Sequence, residues 1–424
     1  MIDRKLKATI LQNLTQNKIF TIFGARGSGK TTLLKLIIQD LKKQGKKTLY
    51  FNLDKDKNNP IFKNDLEFSL FLKKTIFKKD KTLLYLFLDE AQLIKKPDIF
   101  LKNIFTYFKQ NIKLIISSSV AWHKLQDQDI LQNERLNFFL EPISFLEFVQ
   151  FKTNHSIPEY YLNNFELLDS FHEIYGLKIQ KLFLDFLSYK FQEQNKQLRY
   201  SLSFYKQLKN DVQKFTNIEN MEGFKNLLHL LNNKTAHLVN KSELSNILDL
   251  HFETTQKYLN ILEATFLVNY VPPFFGILKK ELTKMPKVYP YELPNKNPLF
   301  WDKNLSNYKF LDPTLIQNYI YLALKNTYGQ DNLYYYQTLS KAKLDFVLLL
   351  LNKVVPIEIQ FFSKINKKFN PSLKIFNKNY NHSILLNLYY TQQYCKYDPQ
   401  HNILFLPIYL AEFYNLKNLF QKNV

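Results

Sequence analysis

Glycine is scarce in this chain, 8 in 424 residues, yet three glycines fall together in Gly24-Ala-Arg-Gly-Ser-Gly29, followed at once by Lys30-Thr31-Thr32. The run fits the spacing G-x-x-x-x-G-K-[ST]; random order of this composition would give it in roughly two chains per thousand, so we read it as a motif. Its context agrees. Ile19–Phe23 reads as a short buried strand, and Thr31–Gln44 as an amphipathic helix that stops before Gly45. A glycine-rich turn between a strand and a helix lets backbone N–H groups curl round a phosphate at the helix N-terminus. Gly24, Ala25, Arg26, Gly27, Ser28, Gly29, Lys30, Thr31 and Thr32 are therefore the candidate nucleotide-binding residues. Lys30 is expected on the β- and γ-phosphates, and the Thr31 hydroxyl on magnesium.

A second apolar run, Leu83–Leu88, suits a central parallel strand covered on both faces, and it ends in Asp89-Glu90. Taken alone, that pair is an ordinary loop start. After a phosphate loop, Asp89 becomes the second magnesium-holding residue and Glu90 the base for an attacking water. Lys113–Ile116 reads as another strand and runs into Ser117-Ser118-Ser119. Ser117 is a candidate for touching the γ-phosphate or the water; the alternative is a serine-rich turn or a helix cap. Arg135 precedes the alternating strand Asn137–Leu140. It is one of four arginines, with Arg4, Arg26 and Arg199, among 58 basic residues. A guanidinium retained in so lysine-rich a chain points to phosphate geometry, with a surface ion pair to Glu134 or Glu141 as the alternative.

The formal charge is +21, but it is spread along the chain: residues 301–424 carry 14 lysines against 7 acidic residues, close to a proportional share. A nucleic-acid surface concentrates charge, so basicity alone decides little. The single cysteine, Cys395, excludes a disulfide framework and any multi-cysteine zinc site. The longest apolar stretches, Phe346–Leu351 and Leu83–Leu88, fall far short of the ~20 residues that cross a bilayer, and the start leads into no leader-like apolar run. The expectation is a cytoplasmic protein with no membrane partner.

These residues carry a resemblance. Gly24–Thr32, Leu88-Asp-Glu-Ala-Gln92, Ile115–Ser119, and Arg135 followed by Leu140-Glu-Pro-Ile-Ser-Phe-Leu-Glu-Phe148 are similar to prokaryotic AAA-type ATPases. The C-terminal half of those proteins is a domain of unknown function with a restriction-endonuclease-like core. Two positions depart from the pattern: Glu134 precedes Arg135 where the family has glycine, and Ser118 replaces a usual glycine. Farther on, Lys284–Tyr289, the helix Leu315–Tyr321, Tyr334–Tyr336, Leu344–Val347 and Pro356–Gln360 resemble the endonuclease-like part. The resemblance implies that Asp345 and Glu358 stand where active nucleases hold magnesium. Gln360 stands in place of the nuclease lysine, and Gln317 in place of a helix glutamate, so nuclease chemistry is not expected.

The expected fold is α/β: a five-stranded parallel AAA-type sheet over 1–150, a helical lid over 151–235, a winged helix over 236–282, and a nuclease-like α/β domain over 283–424. Within the winged helix, Thr254, Thr255, Gln256 and Lys257 would open the recognition helix. The expected activity is magnesium-dependent ATP hydrolysis, with Arg135 lent across a subunit boundary or acting within its own chain. Double-stranded DNA, a protein partner or self-association is the expected contact. The rival readings are a non-turnover ATP switch that recruits a protein, and an ATP-governed nuclease.

Overall fold

The computed structural model describes residues 4–417 apart from 57, 78–81, 156, 158–160, 162, 197–201, 275–284, 293–312, 339–341, 361–370, 381–383 and 390–394. Lys284 and part of the expected winged-helix segment lie outside the described residues. The chain forms two compact units: Met1–Pro142 with Tyr200–Lys225 and Leu250–Leu267, and Ile143–Arg199 with Asn226–Asp249 and Val268–Val424.

The first unit is built on strands β1 (Ile19–Phe23), β2 (Lys47–Asn52), β3 (Leu84–Asp89), β4 (Ile112–Ser118) and β5 (Arg135–Phe139), in the order β2-β3-β4-β1-β5. All four pairings are parallel. Every residue of β1, β3 and β4 is buried, which is why these segments read as unbroken apolar runs rather than alternating ones. Helix α1 (Lys5–Asn13) precedes β1, and α2 (Lys30–Lys43) follows it. Leu33, Leu34, Ile37, Ile38 and Leu41 make one buried face of α2 and pack with Phe20, Ile22, Phe87 and Ile115 of the sheet. The helix ends as Gln44 leads into Gly45, whose φ of +71° sits in the left-handed region.

The second unit holds a six-stranded sheet, β12-β13-β11-β10-β9-β8, made of β8 (Leu333–Gln337), β9 (Lys343–Leu350), β10 (Lys353–Gln360), β11 (Leu385–Tyr389), β12 (Lys396–Asp398) and β13 (Ile403–Pro407). β8 to β10 form an antiparallel meander, and β10, β11 and β13 run parallel. The helix Pro313–Tyr328 shares a core with Phe346, Leu348, Ile357 and Leu386. β6 (Val268–Val271) pairs antiparallel with β7 (Lys287–Pro290) apart from that sheet.

The stretch read from sequence as one lid is shared between the units. The long helix Phe165–Lys196 places Leu168, Phe171, Phe183 and Phe186 in the core of the second unit, whereas the helix Leu202–Val212 belongs to the first. Helices Lys241–Leu248 and Phe252–Ala264 occur where the winged helix was expected. Thr254, Thr255, Gln256 and Lys257 lie near the start of the second of these helices. Thr255 lies in the buried stripe with Tyr258, Leu259 and Leu262, Gln256 Nε2 donates to Asn260 Oδ1 (2.9 Å), and Lys257 stands 3.6 Å from Glu219. No described helix is long and apolar enough to cross a membrane.

Candidate nucleotide site

The loop after β1 has the shape its sequence requires. Gly27 and Gly29 sit at φ +81° and +97°, where a side chain is strained. Gly24 is needed for a different reason: a Cβ there would meet the Leu140 carbonyl oxygen at 2.7 Å. Gly29 gives α2 no side-chain cap, so the first N–H groups of the helix face the loop as donors. Arg4 braces the loop from below, donating to the carbonyls of Ser28 (3.3 Å) and Glu141 (2.5 Å). The Ser28 hydroxyl is buried with no partner.

Lys30 is buried, and its Nζ donates to the carbonyls of Gly24 and Ala25, both at 3.1 Å, while standing 3.6 Å from Glu90 Oε1. These are contacts that a phosphate oxygen can replace. Burial lowers the Lys30 pKa, with Glu90 and Asp89 working against it. Beside it, Thr31 Oγ1 donates to Asp89 Oδ2 at 2.7 Å. The same oxygen accepts from Tyr50 Oη at 2.9 Å, and Ser117 Oγ donates to Asp89 Oδ1. A hydroxyl next to a fully buried carboxylate is a hard-oxygen donor set, so Thr31 and Asp89 fit magnesium.

Glu90 follows the strand in a left-handed conformation, φ +59°, a strain of about 1–3 kcal/mol for a residue with a side chain. Its N–H donates to Ser117 Oγ (3.1 Å), and its Oε2 accepts from Gln92 Nε2 (2.6 Å) and Ser119 Oγ (2.9 Å). Burial alone pushes its pKa up, but Lys30, Gln92, Ser119 and Arg26 outweigh that and hold the carboxyl below its ordinary value. The carboxylate faces the loop lysine.

The expected residues fall into three groups. The loop, Lys30, Thr31, Asp89 and Glu90 converge at the C-terminal end of β1 and β3, with Thr32 exposed in the first turn of α2. Ser117 is present but is used to fix Asp89 and Glu90 rather than left facing outward. Arg135 does not join them. It opens β5 opposite Ile19, the end of β1 remote from the loop, and its buried guanidinium pairs with Asp129 at 2.5 Å and lies 5.8 Å over the Phe23 ring. With burial, its charge drives the neighbouring His123 down to about 4. Within this chain the guanidinium is buried and paired with Asp129 rather than presented at the loop.

Sequence reading missed Asp211 and Tyr50, and gave no individual role to Gln92, Ser119 or Arg4, although Gln92 and Ser119 lie in the segments that carry the resemblance. Asp211, on the helix Leu202–Val212, binds Arg26 Nη1 at 2.7 Å and lies 3.3 Å from Ser119 Oγ. For the ion pair with Asp211 and the brace from Arg4, the sequence signal is the rarity of arginine, which flags Arg4 and Arg26. Burial raises the Asp211 carboxyl pKa, and Arg26 opposes the rise. Asp211→Ala should therefore lower the unfolding free energy of the first unit by about 2 kcal/mol. That is less than a fully buried pair loses, because the Arg26 side chain is 25 % exposed. Denaturant unfolding checks it, and an unchanged midpoint contradicts it.

Residues 16–149 match the family described as AAA domain. Residues 187–292 and 314–409 match two families described as domains of unknown function, DUF8612 and DUF4143. No curated protein sequence matches the chain significantly. Among solved structures the chain is similar to the replication initiator DnaA bound to AMPPCP and single-stranded DNA, at 15 % identity and TM-score 0.29, covering 62 % of this chain and 90 % of that one. It is also similar to AMPPCP-bound DnaA from Aquifex aeolicus, at 17 % identity, TM-score 0.25, and 60 % and 86 % coverage. A RuvB variant from Thermotoga maritima matches at 13 % identity, TM-score 0.28, and 64 % and 89 % coverage.

Proposed function

We propose that the first unit binds ATP with magnesium and hydrolyses it. The observation that carries this reading is the facing of Lys30 and Glu90 across the loop mouth, 3.6 Å apart, beside the Thr31–Asp89 pair. Loop N–H groups and the α2 N-terminus hold the phosphates, and Lys30 exchanges its carbonyl and Glu90 contacts for phosphate oxygens. Glu90, released from Lys30, orients a water and takes its proton as the water oxygen attacks the γ-phosphorus. The bond to the bridging oxygen breaks, ADP and phosphate leave, and the proton passes to solvent. Thr31 and Asp89 would hold magnesium, which when bound would neutralise charge on the phosphate oxygens. Phosphate release from ATP by the full-length protein, with magnesium and with a chelator, tests the reading. Turnover only with magnesium is expected, and none in either condition contradicts it.

For residues 314–409 we propose a nuclease-like fold that binds, through double-stranded DNA or a protein, without cutting. Asp345 sits at the irregular register between β8 and β9, and both its oxygens are already engaged. Gln317 Nε2 donates to Oδ1 at 2.7 Å and the Ile359 N–H to Oδ2 at 3.2 Å. Gln360 is buried and neutral where a nuclease of this kind needs a cation, and Glu358 lies opposite Asn387 in the sheet. Plasmid incubated with the protein, ATP and magnesium or manganese should stay intact. Cleavage that disappears in Asp345→Ala but persists in Lys30→Ala would show a working nuclease.

A further inference from the structure

We propose that Asp169, His172 and Cys395 form a binding site in the second unit for one divalent transition-metal ion of the zinc class. Asp169 and His172 are three residues apart on the helix Phe165–Lys196 and so share a face. Cys395, just before β12, comes to that face, and one donor atom from each of the three lies within 4.8 Å of the others. His172 and Cys395 are buried, at 3 % and 5 % exposure. The Cys395 N–H donates to Asp169 Oδ1 at 3.1 Å, which ties the cysteine backbone to the carboxylate.

The imidazole is the second, independent sign of a ligand. His172 Nε2 is 2.8 Å from the Tyr409 hydroxyl, whereas Nδ1 is buried with no partner. A Cβ on Gly176, one turn on, would stand 2.8 Å from Nε2, so that edge of the ring faces the following turn. Nδ1 is not among the three ring atoms nearest that position. A ring that donates its Nε2–H to a hydroxyl presents a bare lone pair at Nδ1, the usual state of a metal-bound histidine with its outer partner.

Thiolate with imidazole selects zinc-class ions over magnesium, which takes oxygen donors. Three protein ligands leave the fourth tetrahedral position to water. As the metal–sulfur bond forms, the thiol proton passes to solvent. Asp169, His172 and Cys395 all belong to the second unit.

Cobalt(II) added to metal-free full-length protein tests it. Cys395 is the one cysteine in the chain, so a thiolate-to-cobalt charge-transfer band reports this site alone. The expected result is a band that saturates at one equivalent, is displaced by zinc, and is absent from Cys395→Ser. Tyr409→Phe should weaken binding about 10- to 100-fold. His172→Gln and the milder, partly exposed Asp169→Asn should each weaken it at least as much, so a folding failure in one variant leaves the other to decide. No band on the wild-type protein with excess cobalt overturns the proposal. So does a band of unchanged affinity in both His172→Gln and Asp169→Asn, because binding would then rest on the thiol alone.

Discussion

Lys30→Ala protein should bind ATP about 100-fold more weakly than wild type, or not measurably, while remaining folded. The expectation rests on where the ammonium sits. Lys30 is 3 % exposed and held at the loop mouth by two carbonyls and Glu90, so its charge acts on the phosphates with little screening. A charge-assisted hydrogen bond is worth about 1.5–3 kcal/mol, and the upper end alone corresponds to about two powers of ten in affinity. The apolar face of α2 that packs on the sheet, Leu33, Leu34, Ile37, Ile38 and Leu41, does not include Lys30, so the helix should persist. Calorimetric titration with ATP and magnesium measures the effect, and wild-type affinity in the variant would move the nucleotide elsewhere.

Glu90→Gln should separate binding from chemistry: ATP still bound, turnover lower by about 100-fold or more. Glutamine preserves the size of the side chain and can still accept from Gln92 and Ser119. It cannot accept a proton. The wild-type carboxyl is held ionised by Lys30, Gln92, Ser119 and Arg26 against its own burial, and that is the property the amide removes. Comparing ATP affinity with phosphate release in the same preparation checks both halves. Unchanged release would place the base at another residue.

Much of the site was legible because its chemistry is local in sequence. The loop, Lys30 and Thr31 are contiguous, and the apolar run of β3 points directly at Asp89 and Glu90. What could not be read was which end of a strand a residue occupies and which distant element meets it. Arg135 looked well placed because it stands beside a strand, but parallel pairing sets it against Ile19 rather than against the loop after Phe23. Ser117 lies at the expected strand tip, yet with Asp89 and the Glu90 N–H in reach its short hydroxyl is taken by them. Asp211 comes from a helix about 185 residues beyond Arg26, and no motif announces it. The division of the stretch expected as a lid was illegible for a similar reason. Residues 151–235 look like one helical stretch, but the aromatic face of Phe165–Lys196 is claimed by the core of the second unit.

The same geometry accommodates two behaviours, turnover and a held ATP state. They differ in whether Glu90, once Lys30 has moved to the phosphates, takes a proton from water. Single-turnover hydrolysis decides between them most directly: full-length protein in excess over γ-labelled ATP, with magnesium, and the label followed as free phosphate. The account predicts that the bound label converts to phosphate in the wild type and stays as ATP in Glu90→Gln. ATP that binds the wild-type protein and is recovered intact would contradict it.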